Sequence, residues 1–383
     1  MRQIALVQLG VGQVGGALAK MVRAQRQQIE QKLGLRLTYT AIADIDGLAW
    51  AENGLDEEQL DEIVQVKGRG IANLPFGQPI GDLTGSWKPV KSGFAGFDDG
   101  ILVDVTAADG MDTFLEAALR LGWGAVLSNK KPLVVPLPSY QRLMDAAGRR
   151  LRYEATVGAG LPVIATLRTL LDSGDEVQRI EGCFSGTLGY LCHCLQEEMS
   201  FSAGVREARA LGYTEPDPRE DLGGMDVARK ALILARTLGH ELELADVEVE
   251  ALFPAEMAGL SAEEFMATLE RLDGEYEQRV AAARGRGRVL RYVAEVESSY
   301  CRVGWREVGQ ENLMAALRGP DNIVLFHTKR YTDNPLVIVG PGAGPQVTAG
   351  GVLGDILAIA LGRGLARKNT DDSSEKGQKL SAD

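Results

Sequence analysis

A glycine-rich turn between an apolar strand and a helix constrains the fold of this 383-residue chain more than any other feature. Residues 4–9 form a short, mainly apolar run, and apolar residues follow at helical spacing from Ala17 to Val22. In such a turn the first glycine permits a sharp bend, the second lets backbone approach a pyrophosphate, and the third lets helix and strand pack closely. The pattern predicts that a dinucleotide binds at the turn residues Gly10, Val11, Gly12, Gln13, Val14 and Gly15.

An acidic residue follows the second predicted strand, residues 37–43. Asp44 stands where a carboxylate can hold the ribose 2′-hydroxyl of a dinucleotide, and Asp46 is a nearby alternative. Both carboxylates would repel a 2′-phosphate, and no arginine follows the strand at once to receive one. The sequence therefore favours NAD over NADP as cofactor.

Strands and helices continue to alternate up to residue 150, which predicts an α/β fold whose first domain, 1–150, is a Rossmann-type doubly wound sheet. Ligands of such sheets lie beyond the carboxyl ends of the strands. That rule places Thr106 and Lys130 at the same edge of the sheet as Asp44, and we call this edge the rim.

The pattern changes near residue 150 and predicts a second, α+β domain over 151–334. Residues 335–367 read as a strand and an apolar helix, which we expect to pack back on the first domain. Residues 368–383 are polar and almost free of apolar side chains, so we expect a disordered tail.

Composition limits the partners and the location of the protein. The net charge of −12 argues against nucleic acid and anionic membranes, which need a basic surface. No uninterrupted apolar run approaches 18 residues, and the N-terminal apolar run is short for a signal peptide. Four cysteines do not make a disulfide framework in a chain of this length. We expect a cytoplasmic protein with a small-molecule substrate.

The densest polar cluster runs from residue 212 to residue 230. Two prolines stiffen a loop that carries Glu215, Asp217 and Asp221, and such convergent carboxylates suit a cationic group such as an α-amine. Asp226 and Lys230 share one face of the helix that follows, where an exposed pair alone would contribute a few tenths of a kcal/mol.

A hydride taken from an alcohol requires a group that accepts the hydroxyl proton. None of the three histidines has an acidic partner nearby in sequence, so the candidates are Lys130 and Lys230. Cys192-His193-Cys194 has the wrong spacing for a zinc knuckle, and we expect these residues to pack in a helix. Cys183 could act as a nucleophile, although a core position is the expected one.

Together these motifs resemble one family, the homoserine dehydrogenases, from Gly10 to about Leu365. The resemblance rests on the glycine turn and on Ser128-Asn-Lys-Lys131, Glu154-Ala-Thr-Val-Gly-Ala-Gly-Leu-Pro162, Ser185-Gly-Thr-Leu188, the stretch ending at Lys230, and Gly340-Pro-Gly-Ala-Gly344 with Thr348-Ala349. It implies NAD(P)-dependent interconversion of L-homoserine and L-aspartate 4-semialdehyde in threonine and methionine biosynthesis. It also implies a homodimer whose second domain binds substrate and dimerises.

The resemblance assigns roles to individual residues. Lys130 is similar to a lysine beside nicotinamide and substrate, Lys230 to a proton-transferring lysine, and Asp226 to the residue that orients the hydroxyl or a water. The expected substrate contacts are Glu215, Asp221, Thr187 and Tyr213. Gly186 and Gly344 are further expected cofactor contacts. Glu154, with the carbonyls of Val157, Ala159 and Leu161, resembles a monovalent cation site that suits sodium.

Two departures and two alternatives accompany the resemblance. Gly189 stands where relatives often carry Asn or Ser, and a short polar tail follows Leu365 where many relatives carry an ACT domain. We therefore expect no feedback regulation of the ACT type. One alternative is a related dehydrogenase such as aspartate-semialdehyde dehydrogenase, which needs an activated cysteine such as Cys183. The other is a non-catalytic NAD-binding sensor.

Overall fold

The structure is a computed structural model that describes residues 1–66, 70–80 and 96–362. Two β-sheets organise these residues, and helices pack on both of them. The α/β class predicted from the sequence is confirmed.

The first sheet has the strand order β4-β3-β2-β1-β5-β6-β7. Its parallel strands are β1 (Arg2–Leu9), β2 (Leu35–Ala43), β5 (Asp99–Asp104), β6 (Gly124–Leu127) and β7 (Leu151–Arg152). Antiparallel strands β3 (Gly47–Trp50) and β4 (Gly77–Pro79) extend one edge. Because β7 pairs with β6, the first sheet continues past residue 150, where the predicted boundary lay.

Helices cover both faces of this sheet, as its near-continuous apolar strands require. They are α1 (Gln13–Ala24), α2 (Arg26–Leu33), α3 (Glu57–Gln65), α4 (Met111–Arg120) and α5 (Leu137–Ala147). Alternate side chains along β1 enter different cores: Leu6 packs in the cluster that holds Leu18 of α1, and Val7 in the cluster that holds Leu115 of α4.

The second sheet has the order β13-β12-β8-β10-β11-β9. Its strands are β8 (Val177–Cys183), β9 (Glu248–Val249), β10 (Arg288–Glu297), β11 (Cys301–Gly309), β12 (Asp321–Thr328) and β13 (Leu336–Pro341), antiparallel except where β9 meets β11. The accompanying helices are α6 (Val163–Asp172), α7 (Gly186–Gln196), α8 (Phe201–Ala210), α9 (Arg219–Leu222), α10 (Met225–Thr237), α11 (Ala262–Thr268) and α12 (Asp273–Gly285).

The last described helix, α13 (Pro345–Gly362), packs against α1 and β6 of the first sheet. The strand before it behaves differently: β13 pairs with β12 in the second sheet, so the expectation that residues 335–367 pack as one unit on the first domain is wrong for the strand. The ladder to β12 provides hydrogen-bond partners for the β13 backbone. The predicted tail, 368–383, lies outside the described residues, as do residues 363–367.

By length and composition alone, α13 is also long and apolar enough to cross a membrane. No uninterrupted apolar run marks this helix in the sequence, because its apolar residues are separated by glycines and by Asp355. Val352 and Ile356 are fully buried in the core that α1 shares. Packing within the protein therefore accounts for the apolar composition of the helix.

Candidate active site

The glycine turn after β1 has no room for side chains at two of its three glycines. Gly10 adopts φ +97°, and a Cβ on Gly15 would lie 2.2 Å from the Gly10 carbonyl oxygen. Buried Gln8 stabilises the turn, because its Nε2 donates to the carbonyl oxygens of Gly10 at 2.8 Å and Gly15 at 3.2 Å. The turn is held in one shape before any ligand arrives.

The remaining glycine of the turn, Gly12, faces open space. A Cβ on Gly12 would meet no heavy atom within 4 Å, and Gly12 caps α1 without a side-chain hydrogen bond. The first turn of α1 carries no acidic residue. Its free backbone N–H groups and the helix dipole suit a phosphate, so this site fits the pyrophosphate of a dinucleotide.

Asp44 is connected directly to this turn. Its Oδ2 accepts a hydrogen bond from the Val11 N–H at 2.7 Å, and its Oδ1 accepts from the Ile45 N–H at 2.7 Å. Asp46 instead accepts from the Gly70 N–H. Of the two acidic candidates, Asp44 is the one that the fold places against the glycine turn.

The rim at the ends of β5 and β6 is held by a buried polar network. Asp104 accepts from the Thr106 hydroxyl at 2.7 Å and from the Asn129 side-chain amide at 3.1 Å. Burial raises the pKa of the Asp104 carboxyl, although these hydrogen bonds oppose the shift. Asn129 also donates to the Ala108 carbonyl at 2.9 Å, so the loops that carry Thr106 and Lys130 are fixed to each other.

Two lysines from different parts of the fold meet at one carboxylate. Lys130, after β6, places Nζ 3.2 Å from Asp226 Oδ1, and Lys230, on α10, places Nζ 2.8 Å from Asp226 Oδ2. Burial alone would raise the pKa of the Asp226 carboxyl, but the two ammonium groups outweigh it and hold that pKa well below its usual range. Asp226 therefore stays ionised at every pH where the protein would work.

Lys230 is the more enclosed of the two lysines: its side chain is 11% exposed, against 30% for Lys130. Its Nζ also donates to the carbonyl oxygen of Phe184 at 2.7 Å. The Asp226 carboxylate and the Phe184 carbonyl both accept from this one nitrogen. They fix its position at the edge of the cleft.

The stiff loop before α10 separates its three carboxylates into different roles. Asp221 accepts from the Thr187 hydroxyl at 3.1 Å and from the Glu215 N–H at 2.8 Å. Burial raises the pKa of the Asp221 carboxyl, and those hydrogen bonds oppose the rise. Asp217 does not join them, because the Arg219 guanidinium binds both of its oxygens.

Thr187 and Tyr213 lie beside this loop. The Thr187 hydroxyl lies 2.6 Å from the Tyr213 carbonyl oxygen, and the Tyr213 ring meets the edge of Tyr190 with centroids 5.0 Å apart. Gly186 begins α7 where a Cβ would come within 3.1 Å of Pro320. Gly344 adopts φ +113° immediately before α13.

A cleft of about 670 Å³ lies between the rim and α10. Its lining consists of Thr106, Ala107, Ser128, Asn129, Lys130, Lys131, Glu215, Arg219, Glu220, Asp221, Met225, Asp226 and Arg229. It brings together five residues singled out from the sequence, from both domains. Lys230 lies behind Asp226, and the glycine turn, Thr187, Tyr213, Gly186 and Gly344 are not part of the lining.

Known proteins resemble this chain over most of its length. The family model described as homoserine dehydrogenase matches residues 162–357. A homoserine dehydrogenase of Emericella nidulans is 42% identical over 275 residues, which cover 68% of this chain and 75% of that protein. The chain belongs to the homoserine dehydrogenase family.

Two further relatives show how far the likeness extends. The bifunctional aspartokinase/homoserine dehydrogenase 2 of Arabidopsis thaliana is 39% identical over 363 residues, which cover 93% of this chain and 38% of that protein. The chain thus spans about two fifths of the length of such bifunctional relatives. A hyperthermophilic archaeal homoserine dehydrogenase solved with NADPH is 26% identical with a TM-score of 0.71, covering 94% of this chain and 98% of that one.

The loop that resembles the family's cation site is used for helix capping in the structure. Glu154 accepts from the N–H groups of Ile164 at 2.6 Å and Ala165 at 2.8 Å, at the start of α6. Burial, with Asp355 nearby, raises the pKa of the Glu154 carboxyl to about 7. Across residues 1–66, 70–80 and 96–362, no group of three or more His, Cys, Asp or Glu side chains could hold a metal ion.

The backbone of that loop is sharply bent. Gly158 and Ala159 adopt φ values of +78° and +55°, which is uncommon for alanine. The Leu161 carbonyl accepts from the Val163 N–H at 2.7 Å, and the Ala159 carbonyl faces Gly351 of α13.

The cysteines do not support nucleophilic chemistry. Cys183, Cys192, Cys194 and Cys301 are all free and buried. Burial raises the pKa of the Cys183 thiol to about 12, so a thiolate is strongly disfavoured there. This environment argues against the cysteine-dependent alternative considered from the sequence.

Three supporting residues escaped sequence reasoning. Gln8 is a polar residue inside an apolar strand, Asn129 lies two residues after the end of β6, and Arg219 follows Asp217 by two positions. The first two had a signal, because a polar residue in or after a buried strand of such a sheet needs a partner. Arg219 had none, since its carbonyl partners at Ala258 and Leu260 are about 40 residues away.

Proposed function

We propose that the chain catalyses the reversible oxidation of L-homoserine to L-aspartate 4-semialdehyde with a nicotinamide dinucleotide. The observation that carries the proposal is the contact of Lys130 and Lys230 with the two oxygens of Asp226 at the cleft. This contact joins the cofactor rim of the first sheet to a helix that packs on the second.

The bound nicotinamide would supply the hydride acceptor or donor. The glycine turn would hold the pyrophosphate at the start of α1, and Asp44 would hold the adenosine ribose through its hydroxyls. The chain's remaining task is to handle the hydroxyl proton and the charges of the amino acid.

Lys230 is the proposed proton-transfer group. In the reducing direction its ammonium Nζ would give a proton to the aldehyde oxygen, while Asp226 and the Phe184 carbonyl hold the nitrogen in place. In the oxidising direction the neutral amine must accept that proton. Oxidation of the alcohol by the nicotinamide releases one proton overall, so it should become more favourable as pH rises.

The substrate ammonium group would bind at the carboxylates of the stiff loop. Glu215 is exposed and lines the cleft, and Asp221 is oriented by the Glu215 N–H and the Thr187 hydroxyl. Asp217 has no part in this, because Arg219 neutralises it. Lys130 would lie beside the reacting carbon on the rim.

Of the two nicotinamide cofactors, NAD and NADP, we propose NAD. Asp44 hydrogen-bonds the Val11 N–H of the turn, and a carboxylate at that point repels the additional phosphate of NADP. The NADPH complex of the archaeal relative makes NADP the competing choice.

We also propose a sodium ion beside Glu154, with the carbonyls of Val157, Ala159 and Leu161 as ligands. Support comes from the donor chemistry, since these are hard oxygens near two buried carboxylates, Glu154 and Asp355. Dependence of activity on sodium, measured against potassium and choline salts, tests this proposal.

A cytoplasmic homodimer is the proposed assembly, formed through the second domain. β13 is an edge strand of the second sheet and Val339 on it is 54% exposed, so this edge is the surface that we propose for pairing. Light scattering that returned the monomer mass of 41.2 kDa would contradict this proposal.

The activity is tested by following reduced nicotinamide absorbance with L-homoserine, with NAD and NADP offered separately. We expect turnover with both, and a higher kcat/KM with NAD. Absence of turnover with either, in a folded protein that binds one of them, would favour the sensor alternative.

A further inference from the structure

The cations that line the cleft can be sorted by what they already bind. Lys130 contacts Asp226, and Lys131 contacts Asp109 at 2.8 Å. Arg219 is held by Asp217 and by the carbonyl oxygens of Ala258 and Leu260. Within the described ranges, the side chain of Arg229 is the one lining cation that has no hydrogen bond or ion pair.

Arg229 belongs to α10, the helix that carries Asp226 and Lys230. It lies three residues after Asp226, so both side chains emerge on neighbouring parts of one helix face. Three residues of helix rise by roughly 4.5 Å, which is close to the length of a four-carbon amino acid. A substrate whose hydroxyl lies at the Asp226 end of this face could thus reach Arg229 with its other end.

The carboxylates around the cleft offer no partner for the carboxylate of an amino-acid substrate. Four carboxylates line it, Glu215, Glu220, Asp221 and Asp226, and the loop with Glu215 and Asp221 suits the substrate ammonium. A zwitterionic amino acid also carries a carboxylate, and burying it unpaired is costly. An arginine binds a carboxylate with two parallel hydrogen bonds, which a lysine cannot do.

We propose that Arg229 binds the α-carboxylate of the substrate and so selects α-amino acids over simple amino alcohols. The inference rests on the proposed homoserine dehydrogenase function and assigns a specificity residue to it. In this arrangement the ammonium lies at the carboxylate loop, the hydroxyl at Asp226 and Lys230, and the carboxylate at Arg229.

The test compares L-homoserine with 3-aminopropan-1-ol, which has the same chain and lacks the carboxylate. Arg229→Gln should lower kcat/KM for homoserine roughly 10- to 100-fold, mainly through KM, because a charge-assisted hydrogen bond is lost. The kinetic constant for 3-aminopropan-1-ol, or its inhibition constant against homoserine if it turns over too slowly, should change less than about threefold. For Arg229→Lys, kcat/KM for homoserine should lie between the values of the wild type and of Arg229→Gln.

Lys131→Gln is the matched control, since it removes a lining cation that is already paired with Asp109; it should leave the preference for homoserine over 3-aminopropan-1-ol as in the wild type. Thermal unfolding and the dissociation constant for the reduced cofactor, measured by fluorescence, should be unchanged in Arg229→Gln.

The outcomes separate the inference from the function on which it rests. A wild-type protein that does not oxidise homoserine refutes the proposed function. A wild type that oxidises it, with equal losses for both compounds in Arg229→Gln, refutes the role of Arg229. Weakened cofactor binding with an unchanged KM for homoserine would also refute it, and would assign the guanidinium to the cofactor.

Discussion

At the scale of a single residue, Asp226 brings Lys130 and Lys230 together. One carboxylate faces two ammonium groups, so its ionised form is favoured. The depressed pKa of Asp226 means that its contribution to stability is present above its unfolded value and is lost only in strong acid. An acid limb above about pH 4 in the activity profile must therefore come from another group.

Replacing Asp226 by Asn should lower the maximal rate of homoserine oxidation. Without the carboxylate, Lys130 and Lys230 lose their shared partner, and their two positive charges repel each other. The maximal rate should fall at least about tenfold, because Lys230 is no longer oriented. Steady-state kinetics with homoserine measure kcat, and a kcat close to the wild-type value would contradict this role of Asp226.

Lys230→Ala should lower kcat by at least about 100-fold, the usual scale of a lost proton-transfer group. Added primary amines should restore part of the rate if the missing function is proton transfer. A variant with nearly wild-type kcat, or a defect confined to KM, would remove Lys230 from that role.

At the scale of elements, the turn between β1 and α1 separates two uses of glycine. Gly15 is required by packing, since a Cβ there would lie 2.2 Å from the Gly10 oxygen. Gly12 faces open space, so nothing in the protein itself requires it. The two positions can therefore be distinguished experimentally.

Gly12→Ala should keep its thermal stability and raise the KM for the cofactor about tenfold or more, because the new methyl group occupies the pyrophosphate position. Gly15→Ala should lose roughly 1–3 kcal/mol of stability from overpacking. Urea unfolding and cofactor titration of both variants provide the measurement. Equal loss of stability in the two variants would mean that the open space at Gly12 is not a ligand site.

The elements predicted well from the sequence are those specified locally. The strand, glycine turn and α1 are contiguous, and their spacing alone specifies the element order. β13 was expected to pack on the first domain, but its pairing depends on distant residues, here Ile323 and Leu325 of β12. For the same reason Asp217 looked like a substrate ligand, although Arg219 occupies it.

At the scale of the whole molecule, α13 links the two halves of the chain. Ile359 packs against Gly124 of β6, and the Arg2 guanidinium donates to the Ala360 carbonyl at 2.6 Å. A Cβ on Gly160 would lie 2.2 Å from the Val347 oxygen, so the helix also presses on the bent loop near Glu154. One apolar face of the first sheet is fully covered only when this late helix is in place.

A fragment of residues 1–160 should therefore fail to unfold cooperatively, because the apolar face around Ile4, Leu6 and Ile101 is left uncovered. Joining residues 342–362 to it through a flexible linker should restore a cooperative transition. Circular dichroism during urea titration distinguishes the two fragments. A cooperative transition in 1–160 alone would show that the helix is dispensable for the first sheet.

The position of α13 in the chain has a consequence for synthesis. A ribosome delivers the last strand of the first sheet at residue 152 and the covering helix only from residue 345, about 190 residues later, at roughly 5–20 residues per second. During that interval the nascent sheet exposes a face of branched aliphatic side chains to the crowded cell. Production of this protein should thus depend on chaperones that hold the emerging chain until its last helix arrives.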